Sequence, residues 1–169
     1  MPFTFSLADI EAAQVRIAPH VKRTPLVKSD VLSQRLGTNV YLKAELFQKT
    51  GAFKVRGAFN KMLRLTPEER AVGVVAVSGG NHAQAVAYVG RKLGLRTLVF
   101  MPEKTPRNYV DATRGYGAEI IFVRDANEGF DRQDTYVAKG WVSVHPFTDP
   151  LVMAGQGTAG LEIVEDVPD

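Results

Sequence analysis

The sequence of 169 residues contains no cysteine, one tryptophan and three histidines. Without cysteine, the protein has no disulfide, no thiolate nucleophile and no cysteine-ligated metal. His20, His82 and His145 have no carboxylate partner close in the sequence, so we expect no metal site. No apolar run approaches the roughly 18 residues of a membrane span, so we also expect no membrane partner.

The first segment of the chain and the distribution of its charged residues exclude further classes of function. No charged-then-apolar segment opens the chain, and we therefore expect a cytoplasmic protein. The basic residues form no dense patch interleaved with aromatic residues, so we expect no nucleic-acid partner. Residues 1–70 nevertheless hold 12 Lys and Arg against 6 Asp and Glu. This excess is explained either by a solvated surface or by attraction for an anionic ligand.

From residue 71 onward, the sequence alternates short apolar runs with helical segments. "AVGVVAVS" is a valine-rich run typical of a strand buried on both faces, and "WVSVHPF" is the last of the strands predicted after it. This alternation predicts an α/β fold in which residues 71–148 form a small domain with a four-stranded parallel sheet. We expect residues 1–70, together with a helix over residues 149–169, to form part of a second, larger domain that is incomplete here.

Two short patterns in the flanking regions are informative. The spacing of Ser6 and Asp9 predicts a capping box that opens a helix ending near Ile17. "GQGTAG", residues 155–160, matches a dinucleotide-binding fingerprint literally, but that fingerprint must follow a strand and precede an acidic residue by about 20 positions. Here a proline-started helical segment precedes it. We therefore interpret these small residues as a site of close helix packing.

The segment "VSGGNHAQ" joins the valine-rich strand to the next predicted helix. It lies at the carboxyl end of a parallel strand, where open α/β sheets bind ligands. Gly79 and Gly80 let the backbone approach a ligand, and the unpaired amides of a helix start suit an anion. Ser78, Asn81 and His82 add side chains that form hydrogen bonds. A tight turn, with Asn81 as a helix cap and His82 ordering its own loop, explains the same residues, so both interpretations stay open.

Lys54 is placed unusually, at the predicted start of a helix that extends to about Leu65. Helix starts favour negative charge, so a lysine there is held against the local field. Either the side chain is solvated and has no special role, or the function of the protein requires its amine to lose a proton. On the second interpretation, the helix start and the nearby Arg56 lower the pKa of Lys54 below its ordinary value of about 10.4. A neutral amine is the form that attacks an aldehyde.

Taken together, these segments resemble a known family over nearly the whole chain. "KAELFQKTGAFKVRGAFNKM" and "SGGNHAQAVA", followed by "HPF" and "AGQGT", resemble in order and spacing the fold-type II pyridoxal-phosphate enzymes. The threonine or serine dehydratases and the serine racemases are the most similar groups. The resemblance implies pyridoxal 5'-phosphate as the cofactor and a small amino acid as the substrate. It also implies a homo-oligomer, a dimer or a tetramer.

The resemblance assigns roles to individual residues. Lys54 matches the lysine that forms a Schiff base with the cofactor, and Phe53 matches the residue that packs against the cofactor ring. Asn81 matches the asparagine that bonds the phenolic oxygen of the cofactor. The loop of Ser78, Gly79, Gly80, Asn81 and His82 matches the one that binds the substrate carboxylate.

The implied reaction is β-elimination, in which L-threonine or L-serine becomes a 2-keto acid and ammonia, with isoleucine biosynthesis as one expected context. Some relatives, including the racemases, carry a serine at the position of Gly79, whose hydroxyl acts as an acid and base. Gly79 has no such group, so dehydration is favoured over racemisation. Serine racemase and a cysteine-synthase-like β-replacement enzyme stay as alternatives, as does a non-catalytic module of the same fold.

The chain also departs from the family in length. Family members are longer and carry a later run of glycines that binds the cofactor phosphate, together with a small polar residue that faces the pyridine nitrogen. Neither feature is found in this sequence. We therefore expect the chain to correspond to the first half of such an enzyme, with little activity alone and a tendency to self-associate.

Overall fold

The computed structural model describes residues 6–167. The first region, up to residue 72, is mainly helical. Its elements, in chain order, are α1 (Leu7–Ile17), β1 (Leu26–Lys28), α2 (Asp30–Leu36), β2 (Tyr41–Lys43), two short 3-10 turns (Glu45–Phe47 and Lys49–Gly51), α3 (Lys54–Met62) and α4 (Pro67–Val72). The capping box at Ser6 is confirmed, since its amide donates to the Asp9 carboxylate over 2.8 Å. β2 is short, because the chain turns into a 3-10 helix after residue 44.

The second region alternates strands and helices. Its elements are β3 (Val74–Val77), α5 (Asn81–Leu93), β4 (Thr97–Pro102), α6 (Arg107–Gly115), β5 (Glu119–Val123), α7 (Ala126–Val137), β6 (Val142–Ser143) and α8 (Pro150–Asp166). The last helix was expected over residues 149–169; it ends at Asp166, and residues 168–169 lie outside the described residues. None of the helices over residues 6–167 is both long and apolar enough to cross a membrane.

The four strands of the second region form one parallel sheet in the order β5-β4-β3-β6. This confirms the predicted α/β fold. Every residue of β3 is buried, as its continuous valine run predicted, because helices cover both faces of the sheet. Val75 and Val77 face the aromatic residues near α7, whereas Val74 and Ala76 face α5 and α3. Since the strands are parallel, all of their carboxyl ends lie at one edge of the sheet.

α8 returns the chain to the first region, where it packs mainly on α1 and α3. The crossing of α8 with α3 is a contact between backbones. A Cβ atom built on Gly155 would lie 2.6 Å from the Cα atom of Gly57 and 2.7 Å from the carbonyl oxygen of Arg56. The glycine-rich stretch 155–160 therefore lies inside a helix and serves close packing, as predicted. The packing of α8 agrees with grouping residues 149–169 with residues 1–70, although the division into domains stays a prediction.

A buried ion network ties α3 to its surroundings. Arg56 is 0% exposed, and its guanidinium binds the carboxylates of Glu45 and Glu162 at 2.8 and 2.7 Å. It also donates to the Thr158 hydroxyl at 3.2 Å and to the Lys22 carbonyl at 3.2 Å. Two further bonds, from Nε to Glu45 at 3.0 Å and from Nη2 to Glu162 at 2.9 Å, mean that all five guanidinium N–H groups are used, which is what makes a fully buried arginine tolerable. The network joins the chain after β2 to both helices of the crossing.

The ion network predicts that Arg56→Lys is strongly destabilising. A lysine has no planar fork to bind two carboxylates at once, so it leaves buried charge without a partner. We expect the free energy of unfolding to fall by about 3–5 kcal/mol. The control is Arg107→Lys, where the exposed pair with Asp111 predicts a change below about 0.5 kcal/mol. Urea unfolding of both variants measures the difference, and equal effects would contradict the role given to Arg56.

The helix crossing predicts opposite effects for two alanine substitutions in α8. Gly155→Ala forces the backbones of α3 and α8 apart and should lower the free energy of unfolding by at least about 2 kcal/mol. Gly160→Ala, in the same helix, meets no atom within 4 Å and should raise it by up to about 1 kcal/mol through better helix propensity. Thermal unfolding tests both. The interpretation fails if Gly155→Ala is tolerated as well as Gly160→Ala.

Candidate active site

A cavity of about 300 Å³ lies at the carboxyl edge of the parallel sheet. Lys54, at the first position of α3, lines it from one side. The loop between β3 and α5 lines it from another, through Ser78, Gly79, Asn81 and His82. The structure thus brings together two segments that are more than 20 residues apart in the sequence. The sequence analysis had named each of these segments separately as a candidate part of a functional site.

The amine of Lys54 lies next to aromatic rings and has no carboxylate partner among residues 6–167. Its Nζ atom is 5.2 Å from the ring centroid of Phe53 and 5.3 Å from that of Phe147. It donates to the carbonyl oxygen of Pro146 at 3.4 Å. Burial lowers the pKa of Lys54 below its ordinary value, because the neutral amine loses less hydration than the ammonium.

The direction predicted for the pKa of Lys54 is confirmed, but part of the predicted cause is wrong. We expected the charge of Arg56 to contribute. Arg56 instead lies on the far side of α3, where Glu45 and Glu162 neutralise its guanidinium. The structure identifies burial in the cavity as the cause. Residues two positions apart in a helix point to opposite sides, so the spacing of Lys54 and Arg56 already argued against their interaction, and the structure adds the carboxylates that bind Arg56.

The turn before Lys54 is strained. Thr50 has a φ of +66° and is the one residue other than glycine with positive φ among residues 6–167. Gly51 follows with a φ of +68°. A β-branched residue in the left-handed region costs about 1–3 kcal/mol and is typical of functional sites. This double turn delivers Phe53 and Lys54 to the start of α3. Phe53 is 39% exposed and does not line the cavity, so its contact here is with the Lys54 amine.

The loop after β3 presents hydrogen-bonding groups to the cavity. The Ser78 hydroxyl accepts a hydrogen bond from the Gly80 amide at 3.1 Å, which tightens the loop. Asn81 is the first residue of α5, is exposed, and forms no side-chain hydrogen bond to another described residue. A Cβ atom at Gly79 would lie 2.5 Å from the Thr105 hydroxyl oxygen. The amide of Asn81 is therefore available to a ligand, while the roles predicted for this loop stay predictions.

His82 is the most perturbed group of the site. It is 3% exposed, and its Nε2 atom donates to the carbonyl oxygen of Val144 at 2.8 Å. Its Nδ1 atom has no partner among residues 6–167. Burial lowers the pKa of His82 to about 4, so the ring is neutral at pH 7. His82 fastens the start of α5 to the chain after β6, and its predicted contact with a substrate carboxylate stays a prediction.

Several lining residues escaped the residue-by-residue analysis, among them Phe130, Pro146 and Phe147. The last two belong to the "HPF" motif, which was noted only as part of the resemblance. The sequence did contain a signal for these two residues. They follow a strand parallel to β3, so they lie at the same edge of the sheet as the loop after β3. Phe130 lies in α7 with nothing in its local sequence to mark it.

Comparison with known proteins identifies the family of the chain. A profile described as "Pyridoxal-phosphate dependent enzyme" matches residues 17–169, nearly the whole chain. The chain belongs to the pyridoxal-phosphate dependent enzymes. The resemblance to pyridoxal-phosphate enzymes is thereby confirmed, and individual relatives include both dehydratases and racemases.

Three relatives illustrate the similarity. The L-threonine dehydratase catabolic TdcB of Staphylococcus aureus (strain USA300) is 46% identical over 168 residues, covering 96% of this chain and 48% of the relative. The L-threonine ammonia-lyase of Geobacter sulfurreducens is 46% identical over 171 residues, covering 100% and 42%. The solved structure of maize serine racemase is 37% identical, with a TM-score of 0.92, covering 99% and 51%. The chain thus spans about half the length of the relatives it matches.

The cofactor of this family is pyridoxal 5'-phosphate, and the residues around the cavity fit it. An aldehyde needs an amine with a lowered pKa, which Lys54 provides. A phenolic oxygen needs a hydrogen-bond donor, and the amide of Asn81 is not engaged elsewhere among the described residues. Phe53 and Phe147 supply apolar surface next to the amine. No group of three or more His, Asp or Glu side chains within residues 6–167 is placed to hold a metal ion.

The buried His82 predicts a specific loss of stability on acidification. Its pKa is depressed in the folded state, so its contribution is fully present above about pH 6.5 and is lost as the pH falls towards 4. At pH 5 the loss relative to pH 7 should be about 2 kcal/mol. His82→Gln is the control, because its amide can still donate to Val144 but does not titrate. Urea unfolding at both pH values should show a smaller pH effect for the variant; equal losses would contradict the assignment.

Proposed function

We propose that the chain provides the lysine-bearing part of a pyridoxal-phosphate-dependent threonine or serine dehydratase. The observation that supports this most is the Lys54 amine. Burial lowers the pKa of this amine, which favours its neutral form. The amine lines a cavity that is also lined by Asn81 and by the loop containing Gly79. The 46% identity to an L-threonine dehydratase and to an L-threonine ammonia-lyase supports the choice of reaction.

In the proposed mechanism, Lys54 and Asn81 would hold the cofactor in the cavity, and Phe53, beside the amine but outside the cavity lining, is expected to pack against the cofactor ring. Bound pyridoxal phosphate supplies an electron sink for the charge that develops at the substrate Cα atom. The loop from Ser78 to His82 binds the substrate carboxylate through the amides at the start of α5, where the helix dipole favours an anion. The neutral Nζ atom of Lys54 accepts the proton from Cα. The β-hydroxyl would leave as water with a proton returned by Lys54, and the released enamine would tautomerise to an imine that water hydrolyses to a 2-keto acid and ammonia.

Gly79 favours elimination over racemisation. Inversion at Cα requires a second acid or base on the face opposite Lys54, and glycine has no side chain to provide it. A side chain at this position would also displace Thr105, whose hydroxyl oxygen lies 2.5 Å from the Cβ position. Serine racemase remains the second candidate because of the structural similarity to the maize enzyme. A β-replacement enzyme and a non-catalytic binding module are the remaining alternatives.

Several finer features belong to the same proposal. The word "catabolic" in the name of one relative favours a degradative role, whereas isoleucine biosynthesis was the context first expected. We also propose that the protein is cytoplasmic and self-associates as a dimer or tetramer. Exposed apolar side chains support self-association. They are concentrated between residues 27 and 47: Val27, Val31, Leu36, Leu42, Leu46 and Phe47.

The proposed role of Lys54 is tested by Lys54→Ala. In excess pyridoxal phosphate, we expect the parent chain to gain a cofactor absorbance and to carry the cofactor on Lys54 after borohydride reduction, as shown by peptide mass mapping. The variant should show neither, and any release of keto acid from L-threonine should fall at least about 100-fold. The matched control is Lys104→Ala, an exposed lysine outside the cavity, which should behave as the parent.

The alternatives give different outcomes in the same experiment. Formation of D-serine from L-serine in excess of keto acid would favour the racemase and overturn the argument from Gly79. Consumption of an added thiol with O-acetylserine would favour β-replacement. A parent chain that binds no cofactor at Lys54 would favour the non-catalytic module. We expect the turnover of this chain alone to be low, so cofactor attachment is the primary measurement.

A further inference from the structure

A short turn, Pro146–Thr148, follows β6 and closes over Lys54. The Pro146 carbonyl accepts a hydrogen bond from Lys54 Nζ at 3.4 Å, and the ring centroid of Phe147 lies 5.3 Å from the same atom. Burial holds only the first residue of the turn, since Pro146 is buried whereas Phe147 is 67% exposed and Thr148 is also exposed. Another interaction must therefore fix Phe147 and Thr148.

His145 provides that interaction. Its Nδ1 atom accepts hydrogen bonds from the backbone amides of Phe147 at 3.2 Å and Thr148 at 3.1 Å, and it lies 2.9 Å from the Thr148 hydroxyl. The ring also stacks on Phe130, with centroids 5.0 Å apart and planes inclined by 21°. Because the two amides can only donate, Nδ1 must carry a lone pair. The ring proton is therefore on Nε2 and the imidazole is neutral.

We propose that His145 is a positioning residue for Lys54. Its neutral imidazole folds the Pro146–Thr148 turn, and the folded turn brings the Pro146 carbonyl and the Phe147 ring against the amine. His145 acts through this turn rather than by contact with a reacting atom. The proposal concerns the lysine on which the proposed function rests, but its test requires neither cofactor nor turnover.

The surroundings of His145 set the pH range in which the turn is folded. Burial lowers the pKa of His145, while the carboxylate of Asp149 acts in the opposite direction. Asp149 is itself paired with Lys61 at 2.9 Å. The other ionisable groups near His145 are Lys54 and His82 on the cavity side and Glu69 and Asp134 on the opposite side.

The consequence is a turn that is folded at neutral pH and released in acid. The folded-state pKa of His145 is lowered, so the neutral form predominates above about pH 6.5. As the pH falls through the lower folded value, Nδ1 binds a proton and changes from acceptor to donor. It then repels the amide donors of Phe147 and Thr148. The amine of Lys54 becomes hydrated, and the burial that lowered its pKa is lost.

Two substitutions separate hydrogen bonding from packing. His145→Phe keeps an aromatic ring to stack on Phe130 but removes the acceptor. His145→Asn keeps an acceptor oxygen near the place of Nδ1, loses the stacking and does not titrate. If His145 acts as proposed, the asparagine variant should resemble the parent and the phenylalanine variant should not. A purely structural role of the ring predicts the reverse order.

The measurement is the titration of Lys54 itself. The amines are labelled with acetic anhydride over a series of pH values, and peptide mass mapping gives the labelling of Lys54 relative to the exposed Lys104. In His145→Phe we expect the midpoint for Lys54 to rise by at least half a pH unit, which is about a threefold change in the neutral fraction at a fixed pH. In His145→Asn the midpoint should stay at the parent value.

The pH dependence of Lys54 labelling provides a second test of the proposal, and this test needs no destabilising variant. The ratio of Lys54 to Lys104 labelling in the parent should show an additional inflection below pH 6.5, and His145→Asn should lack it. The proposal is overturned if His145→Phe keeps its circular dichroism spectrum and an unchanged Lys54 midpoint. It is also overturned if the parent shows no inflection. Failure of cofactor attachment in the parent would reject the proposed function while leaving these titrations valid.

Discussion

The burial of one guanidinium constrains most of this structure. Arg56 is fully enclosed, and a charge in such a position must be matched by opposite charge and by a full set of hydrogen bonds. Glu45 comes from the turn after β2, and Glu162 comes from α8, more than 100 residues later in the chain. Both segments must therefore converge on α3. The arginine fixes the first region around the helix whose first residue is Lys54.

The helix crossing follows from the same requirement. Glu162 reaches Arg56 only if α8 lies close against α3, and the two backbones approach within a distance that excludes a Cβ atom at Gly57 or Gly155. Lys43, which also binds Glu162 at 2.7 Å, adds a second cation to the network. The charges specify which elements meet, and the glycines set how closely they meet. Neither feature explains the geometry without the other.

Two cations two positions apart on α3 thus have opposite environments. Arg56 is paired on all sides, whereas Lys54 forms no ion pair with any residue from 6 to 167 and faces aromatic rings and a carbonyl. The difference suits their chemistry. A guanidinium keeps its proton and serves as a fixed structural charge, whereas a partly buried lysine without a carboxylate gives up its proton more readily. Lys54 is therefore suited to act as a base for two reasons: its position in the cavity, and the absence of a carboxylate partner among residues 6–167.

The sequence by itself determined the parallel sheet, most of its helices and the two segments of the site. Those features depend on local patterns: the valine run of β3, the periodic helices and the glycines before Asn81. It also determined that residues 155–160 belong to a packed helix, because a proline start precedes them. Only the tertiary structure decided that Glu45 and Glu162 neutralise Arg56 and that the turn after His145 closes over the amine. Both depend on contacts between residues distant in the sequence, and no local pattern records which side of a helix or strand end such a partner occupies.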